Sequence, residues 1–331
     1  MRYADVLAQS DEEFRRDVQA WRRRRMEVFT GPHGWLSLRQ LTWLEDGSVT
    51  RVPGFPGTWA AEANVVVYTP DTGSSVVNRG AELTGSLRIE APGQGDMSLE
   101  NIDFGELRAE LIKRTGASLS FAVRLRDPHA PNRTHFSGAR YFPVNRAWVL
   151  PARFEPAATS RDIHVEADLR DFSVECVMGT LTMSFEGRDY PLVVLQDHND
   201  DTGERTRDTR GRLHYVDNRW GTDRIGVVRF RDATSGVETY GGGRRITVPL
   251  DDPESIDHVD FNRAVSPSCA YNVYCTCPFA PSGNVLPFPV AAGEMTPRIY
   301  ENPLEGKGTG TGVLCGLWEL SEDMTDSPRE D

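Results

Sequence analysis

The sequence is poor in apolar residues. They fill 38% of its 331 positions, while glycine (30) and proline (21) are plentiful. That balance points to many short elements joined by turns, with polar insertions, yet it is not low enough for disorder throughout. The chain has no excess of positive charge: 37 Lys and Arg stand against 49 Asp and Glu, a net charge of −12. A nucleic-acid partner, which needs a positive face, is therefore not expected. No apolar run approaches the length of a spanning helix, and "MRYADVLAQSDEEFRRD" lacks the apolar centre of a secretory signal, so no membrane partner is expected and the expected location is cytoplasmic. Cysteine is scarce, with five residues, an odd number, and in a large chain without a signal these read as thiols rather than a disulfide framework. There is no dinucleotide or P-loop fingerprint, because "GGGR" lacks the strand–loop–helix setting that either requires, and no organic cofactor is expected. No repeat of fixed period is present.

What is there begins with a helix over the first 32 residues. Ser10 and Glu13 fit a capping box, Asp11 and Glu12 suit the positive end of the dipole, and Gly31-Pro32 stops the helix. Phe14, Val18, Trp21 and Val28 form its apolar stripe, and the run Arg22 to Arg25 reads as a solvated face. From there the period changes to two. Leu119, Phe121, Val123 and Leu125 alternate with Ser118, Ser120, Arg124 and Arg126. Ile163, Val165, Ala167 and Leu169 alternate with His164, Glu166, Asp168 and Arg170, and Leu181, Met183 and Phe185 repeat the pattern. Strands apolar on one side follow the antiparallel habit. With no long amphipathic helix after Met26, residues 33–320 read as a mostly-β antiparallel barrel or sandwich behind an N-terminal α-helix. The polar stretch 197–212 either separates two halves or interrupts one β domain, and 321–331 is an acidic tail.

Chemistry-bearing residues gather in two stretches. In "FRDATSGVETYGGGRR" a hairpin is expected, with Val237 to Tyr240 as its second extended limb. Its three glycines satisfy a bend needing positive φ more readily than a phosphate, and Arg244 beyond them is aimed at a carboxylate or phosphate. In "DFNRAVSPSCAYNVYCTC", Phe261 points into the core, which sets Asp260 and Asn262 on the other side of an extended segment, beside Arg263. Such a group either binds a polar ligand and supplies a general base, or forms a buried network that fixes a loop. Cys269 and Cys277 are candidate nucleophiles if a positive neighbour lowers their pKa, or else small buried apolar residues. His258, Cys269, Cys275 and Cys277 together would suit zinc, but structural zinc uses Cys pairs two to four apart and Cys275-x-Cys277 does not match. No metal is the expectation.

"RLRDPHAPNRTHFSG", "FRDATSGVETYGGGR" and "DFNRA" with "LPFPVAAGE" resemble the bacterial and archaeal domain-of-unknown-function family numbered 1684, and "GWLSLRQLTWLEDG" is similar to its opening element. The resemblance runs from about Trp21 to Glu294 and implies a mostly-β fold without supplying a reaction. Carried across, its pattern falls on Arg126 and Asp127, on Asp232, Thr234, Gly236, Thr239, Tyr240 and Arg244, and on Asp260, Asn262, Arg263, Cys269, Cys277, Asn284 and Glu294. This chain departs from it at Val265 and Ser266, where the pattern has Tyr and Asn, and at Cys275, which is peculiar to this chain. The expected function is an intracellular enzyme acting on a small polar, anionic metabolite by hydrolysis or rearrangement. In it Arg244 and Arg263 hold the anion, Asp260 acts as acid or base, Asn262 orients the substrate, and Arg126, Tyr240, Asn284 and Glu294 complete the binding set. The alternatives are a non-catalytic small-molecule-binding β-barrel protein and a purely structural protein. No oligomeric state follows.

Overall fold

The structure is a computed structural model that describes residues 2–91, 97–114, 120–167, 171–196, 205–207, 213–215, 225–250 and 252–299. The chain opens with two helices, α1 (Tyr3–Ala8) and α2 (Asp11–Thr30). The capping box of α2 forms as expected: Glu13 N donates to Ser10 Oγ, Ser10 N donates to Glu13 Oε2, and Gly31 closes the far end. Its buried stripe is Phe14, Val18, Trp21, Arg25 and Phe29 rather than one ending at Val28. The stripe thus runs through the arginine run. Arg25 is buried and Arg22 half-buried, because both find carbonyl or carboxylate partners far along the chain.

The first β unit is a sandwich. Strands β1 (Leu38–Leu44), β2 (Val49–Thr50), β3 (Thr58–Glu62), β4 (Val65–Thr69), β5 (Val77–Asn78), β6 (Ala81–Glu82), β7 (Leu87–Glu90), β8 (Met97–Phe104), β9 (Leu107–Lys113) and β10 (Phe121–Arg126) make two antiparallel sheets, ordered β1-β10-β9-β8-β5-β6 and β2-β3-β4-β7. Between them Trp59, Tyr68, Ile102, Leu111, Val123 and Leu125 form a closed core. The expected alternation of β10 is real, with Phe121, Val123 and Leu125 inward. Its other face is not solvated, however: Arg124 and Arg126 are buried too, over the Trp35 ring at 4.8 Å each.

After a one-turn helix, α3 (Pro131–Thr134), the second unit begins. It comprises β11 (Val149–Ala167), β12 (Asp171–Phe185), β13 (Arg188–Gln196), the small pair β14 (Arg205–Arg207) and β15 (Leu213–Tyr215), then β16 (Ile225–Phe230), β17 (Arg244–Pro249) and β18 (His258–Asp260). Six of these form one antiparallel sheet, β17-β16-β13-β12-β11-β18, curled into a nearly closed barrel. Every one of the six sends side chains into the barrel core, among them Leu150, Leu181, Val194, Phe230, Ile246 and Val259. The barrel's edges are β17 and β18. Among the described residues they meet beyond β18, where Val265 and Arg245 exchange backbone hydrogen bonds of 3.0 and 2.8 Å. Along β17 and β18 themselves the seam stays open.

The hairpin around the glycines differs from expectation. β16 pairs with β17, Phe230 opposite Arg244, so the second limb starts at Arg244 and Val237–Tyr240 belongs to the connecting loop. That loop is held by Asp232, whose Oδ1 accepts from Thr234 N and Oγ1 at 2.8 and 2.6 Å. Residues 261–263 are likewise a 3-10 turn rather than extended chain, with Asp260 as its cap. A third core, with Phe29, Trp35, Leu36, Tyr271 and the three clustered cysteines, joins sandwich, helix and barrel. Most of the polar stretch 197–212, the tail 321–331, Ser118, Leu119 and Asp168–Arg170 lie outside the described residues.

Candidate functional site

The open seam of the barrel is a pocket of about 360 Å³, roofed by the N-terminal helices. Thr247 and Asp252 approach it from the β17 side, His258, Asp260 and Arg263 from the β18 side, and Asp17 and Arg24 from α2. Asp260 and Arg263, paired on sequence grounds, do meet here. Asp260 Oδ2 accepts from Arg263 Nε at 3.0 Å, and its Oδ1 accepts from the backbone N and side-chain Nδ2 of Asn262 at 3.0 and 2.9 Å. Arg263 Nη2 reaches Asp17 of α2 at 2.5 Å, and the guanidinium lies over Trp21. Its side chain is only 7% exposed, yet Nη1 has no hydrogen-bond partner. It is a buried donor without an acceptor among the described residues, on a side chain that lines the pocket.

His258 carries the other feature of the seam. Its Nδ1 is 2.7 Å from Asp257 Oδ1, its ring stacks on Tyr3, and the Tyr3 backbone N donates to the Asp257 carboxylate at 2.9 and 3.0 Å. Burial pushes the Asp257 carboxyl up, but the bonds from His258 and Tyr3 outweigh it and hold it below its ordinary value. The carboxylate orients the ring, with Nδ1 toward Asp257 and Nε2 on the far side of the ring.

The remaining sequence-selected residues lie elsewhere. Asn262, the expected substrate guide, is a clamp: it accepts from Asn145 N at 2.8 Å and donates to Asn145 O at 2.9 Å. Arg244 does aim at a carboxylate, but an internal one. Nη2 binds Asp232 at 2.8 Å and Val290 O at 2.9 Å, Nη1 binds Ala292 O, and burial draws its pKa down despite Asp232. Asn284 bridges β13 and β16 by bonds to Val193 N, Val193 O and Arg229 O. Tyr240 packs on the third core. Glu294 pairs with Arg25 at 3.3 Å and accepts from the Tyr271 hydroxyl, and burial raises its pKa against both. Arg126 binds Glu110 through Nε and Nη2 at 3.0 and 2.7 Å and faces a separate hollow with His33, Trp35 and Arg108.

The candidate nucleophiles are remote from the seam. Cys269, Cys275 and Cys277 are thiols outside any disulfide, buried with Phe29 and Trp35. Cys277 Sγ accepts from Cys269 N at 3.3 Å and sits 3.2 Å from Ser268 Oγ. Burial pushes that thiol up, and hydrogen bonds from Cys269, Cys275 and Ser268 outweigh it and hold the thiol well below its ordinary value. It lines neither the seam pocket nor the hollow beside Arg126. The zinc set is not assembled, since His258 is engaged by Asp257 at the seam. Among the described residues no group of three or more His, Cys, Asp and Glu is placed to hold a metal.

Sequence reasoning missed Asp17, Arg24, Asp252 and the Asp257 partner of His258. The helical signal was available, for Asp17, Trp21 and Arg24 follow each other at steps of four and three on one face of α2. The rest depends on which strands stay unpaired.

Fold and site together define a two-unit antiparallel β protein with a charged pocket at the seam of its barrel. Residues 134–295 match the family described as protein of unknown function (DUF1684). The match spans the barrel with Asp257, His258, Asp260 and Arg263, but starts after Arg126 and leaves Asp17 and Arg24 outside. A solved NMR structure of an uncharacterized protein of Haloarcula marismortui is 28% identical, over 50% of this chain and 79% of that one, with a TM-score of 0.35. No curated protein matches the chain. Among the described residues no helix is long and apolar enough to cross a membrane.

Proposed function

We propose that this chain is a cytoplasmic small-molecule-binding β-barrel protein whose ligand, an amino-acid-sized zwitterion, sits in the seam pocket. The observation that carries the reading is Arg263, which lines the pocket with two nitrogens fixed by Asp260 and Asp17 and with Nη1 left for a guest. A guanidinium so held is pre-organised to take a carboxylate oxygen by a charge-assisted bond. The charged wall is otherwise mixed: Asp17, Asp252 and Asp260 stand against Arg24 and Arg263. A purely anionic guest would meet more carboxylate than guanidinium, whereas a zwitterion places its ammonium toward Asp252 or Asp260 and its carboxylate on Arg263. A volume of about 360 Å³ is within the range of small-ligand pockets. Binding is favoured over covalent chemistry because Cys269 and Cys277 lie in a different core.

The test is a thermal-shift screen with amino acids on the wild type and on Arg263→Met. A ligand at about a hundred times its Kd adds roughly 2.7 kcal/mol of stability, enough to move the melting temperature visibly. The expected result is a shift in the wild type that Arg263→Met loses. If every compound that stabilises the wild type stabilises the variant equally, the pocket is not the site.

One observation favours an enzymatic version of the same reading, the Asp257–His258 pair. A histidine oriented by a carboxylate, on a pocket wall, is the arrangement of a general base. NMR of a bound ligand over time distinguishes the versions: turnover that His258→Gln abolishes, with binding intact, makes the protein an enzyme.

A further inference from the structure

The ladder between β16 and β17 sets two arginines directly opposite each other, Arg229 and Arg245. Residues so paired send their side chains to the same face. That face is not the barrel core, which takes Val228, Phe230, Ile246 and Val248. It is the side shared with Val227, which packs on Val177 and Leu195. Both arginines are buried there, Arg245 to 3% exposure. Glu175 of β12 supplies a carboxylate to one of them, its Oε2 lying 3.2 Å from Arg229 Nη1, while its Oε1 accepts from the Ser173 hydroxyl at 2.7 Å. Among the described residues Arg245 has no such partner. Its Nε and Nη2 are buried without a hydrogen bond, and Val265, opposite it on the other flank, is apolar and offers no side-chain acceptor.

Like charges set directly opposite on a sheet repel, and an arginine cannot escape by losing its proton as a buried lysine can. Native structures rarely leave a buried guanidinium edge unused without an ion, water or ligand to meet it. Nε and Nη2 lie on one edge of the guanidinium, the edge that a carboxylate or phosphate grips with two parallel bonds. We propose that Arg245, with Arg229 across the ladder, forms a binding site for a small oxyanion, a carboxylate or phosphate group, on the outer face of the barrel sheet. The site shares no residue with the seam pocket and stands whether or not that pocket binds a zwitterion.

The experiment measures the melting temperature of the full-length protein in sodium phosphate and in sodium succinate, each against sodium chloride at equal ionic strength. It is repeated on Arg245→Met, Arg245→Lys and Arg263→Met, and affinities are taken by calorimetry. The expected result is a dose-dependent rise in the wild type and in Arg263→Met. The rise is abolished in Arg245→Met, and Arg245→Lys, which keeps the charge but loses the flat edge, binds at least about tenfold more weakly. Stronger action of phosphate assigns the site to phosphate groups, and stronger action of succinate to carboxylates. If neither anion shifts the wild type beyond chloride, or if Arg245→Met keeps the full shift, the proposal is overturned. Should Arg245→Met fail to fold, Arg245→Lys decides alone, because unchanged affinity in it is incompatible with a two-bond grip. Loss of the shift in Arg263→Met would instead locate anion binding at the seam and overturn the assignment to Arg245.

Discussion

Glu110 is directly opposite Arg124 on the ladder of β9 and β10, and it takes two hydrogen bonds from Arg126, all three side chains being buried. Burial alone would push its carboxyl up. The charges of Arg126 and Arg124 outweigh that and hold it at about 2 instead of 4.5. A folded-state pKa below the unfolded one contributes stability that is full above 4.5 and disappears as the pH falls toward 2. Taken at 1.36 kcal/mol for each pKa unit, the contribution is on the order of 3 kcal/mol. Glu110→Gln should therefore unfold more easily than the wild type at pH 7, and the gap should close as the pH is lowered through the acid range. Urea midpoints from pH 7 to 3 measure this, and a gap independent of pH would contradict the assignment. The same scale shows where sequence reading stops. Arg244 and Arg245 are neighbours of one residue type, and nothing local says which meets an internal carboxylate. The strand's alternation sends Arg244 toward Asp232 and Arg245 away from it, and that becomes visible only once Phe230 is known to face Arg244. Arg25 was read as solvated for a similar reason, since its partner Glu294 is 269 residues away.

Elements were more legible than single residues. The capping box, the stop at Gly31 and the parity of β10, β11 and β12 are local signals, and each holds in the structure. The glycine bend was legible in kind but displaced in register. Gly243 has φ +94°, and a Cβ there would lie 2.5 Å from Phe230 O, so the bend needs glycine for its backbone and not for an anion. Gly243→Ala should cost about 2 kcal/mol or more, combining left-handed strain with a backbone clash. Chemical denaturation should show the loss, and because Arg244 and Arg245 follow immediately, hydrogen exchange of β17 should rise most. A variant as stable as the wild type would mean that the bend tolerates another path and that the pairing of β16 with β17 does not depend on it.

At the scale of the whole molecule, the sequence announced a mostly-β antiparallel protein but not its seam. A pocket made by two edge strands that fail to pair, roofed by helices from the other end of the chain, depends on long-range closure, and periodicity is blind to it. The same holds for the junction of the two units. Sandwich and barrel have separate cores, and the third core, in which Phe29 meets Tyr271 edge-on at 5.0 Å under the Arg25 guanidinium, ties both to α2. Phe29 is fully buried, so Phe29→Ala removes a large side chain from a core in which helix, β1 and the cysteine segment converge. Such truncations cost about 3–5 kcal/mol. If the third core couples the units, the loss should fall on their coupling as well as on their stability. Calorimetry should then show one transition in the wild type resolve into two in the variant, and the ligand of the seam should raise only the transition of the barrel. A variant that melts lower but still in a single step would show that the units are joined mainly elsewhere, and the roof that α2 places over the seam would not depend on Phe29.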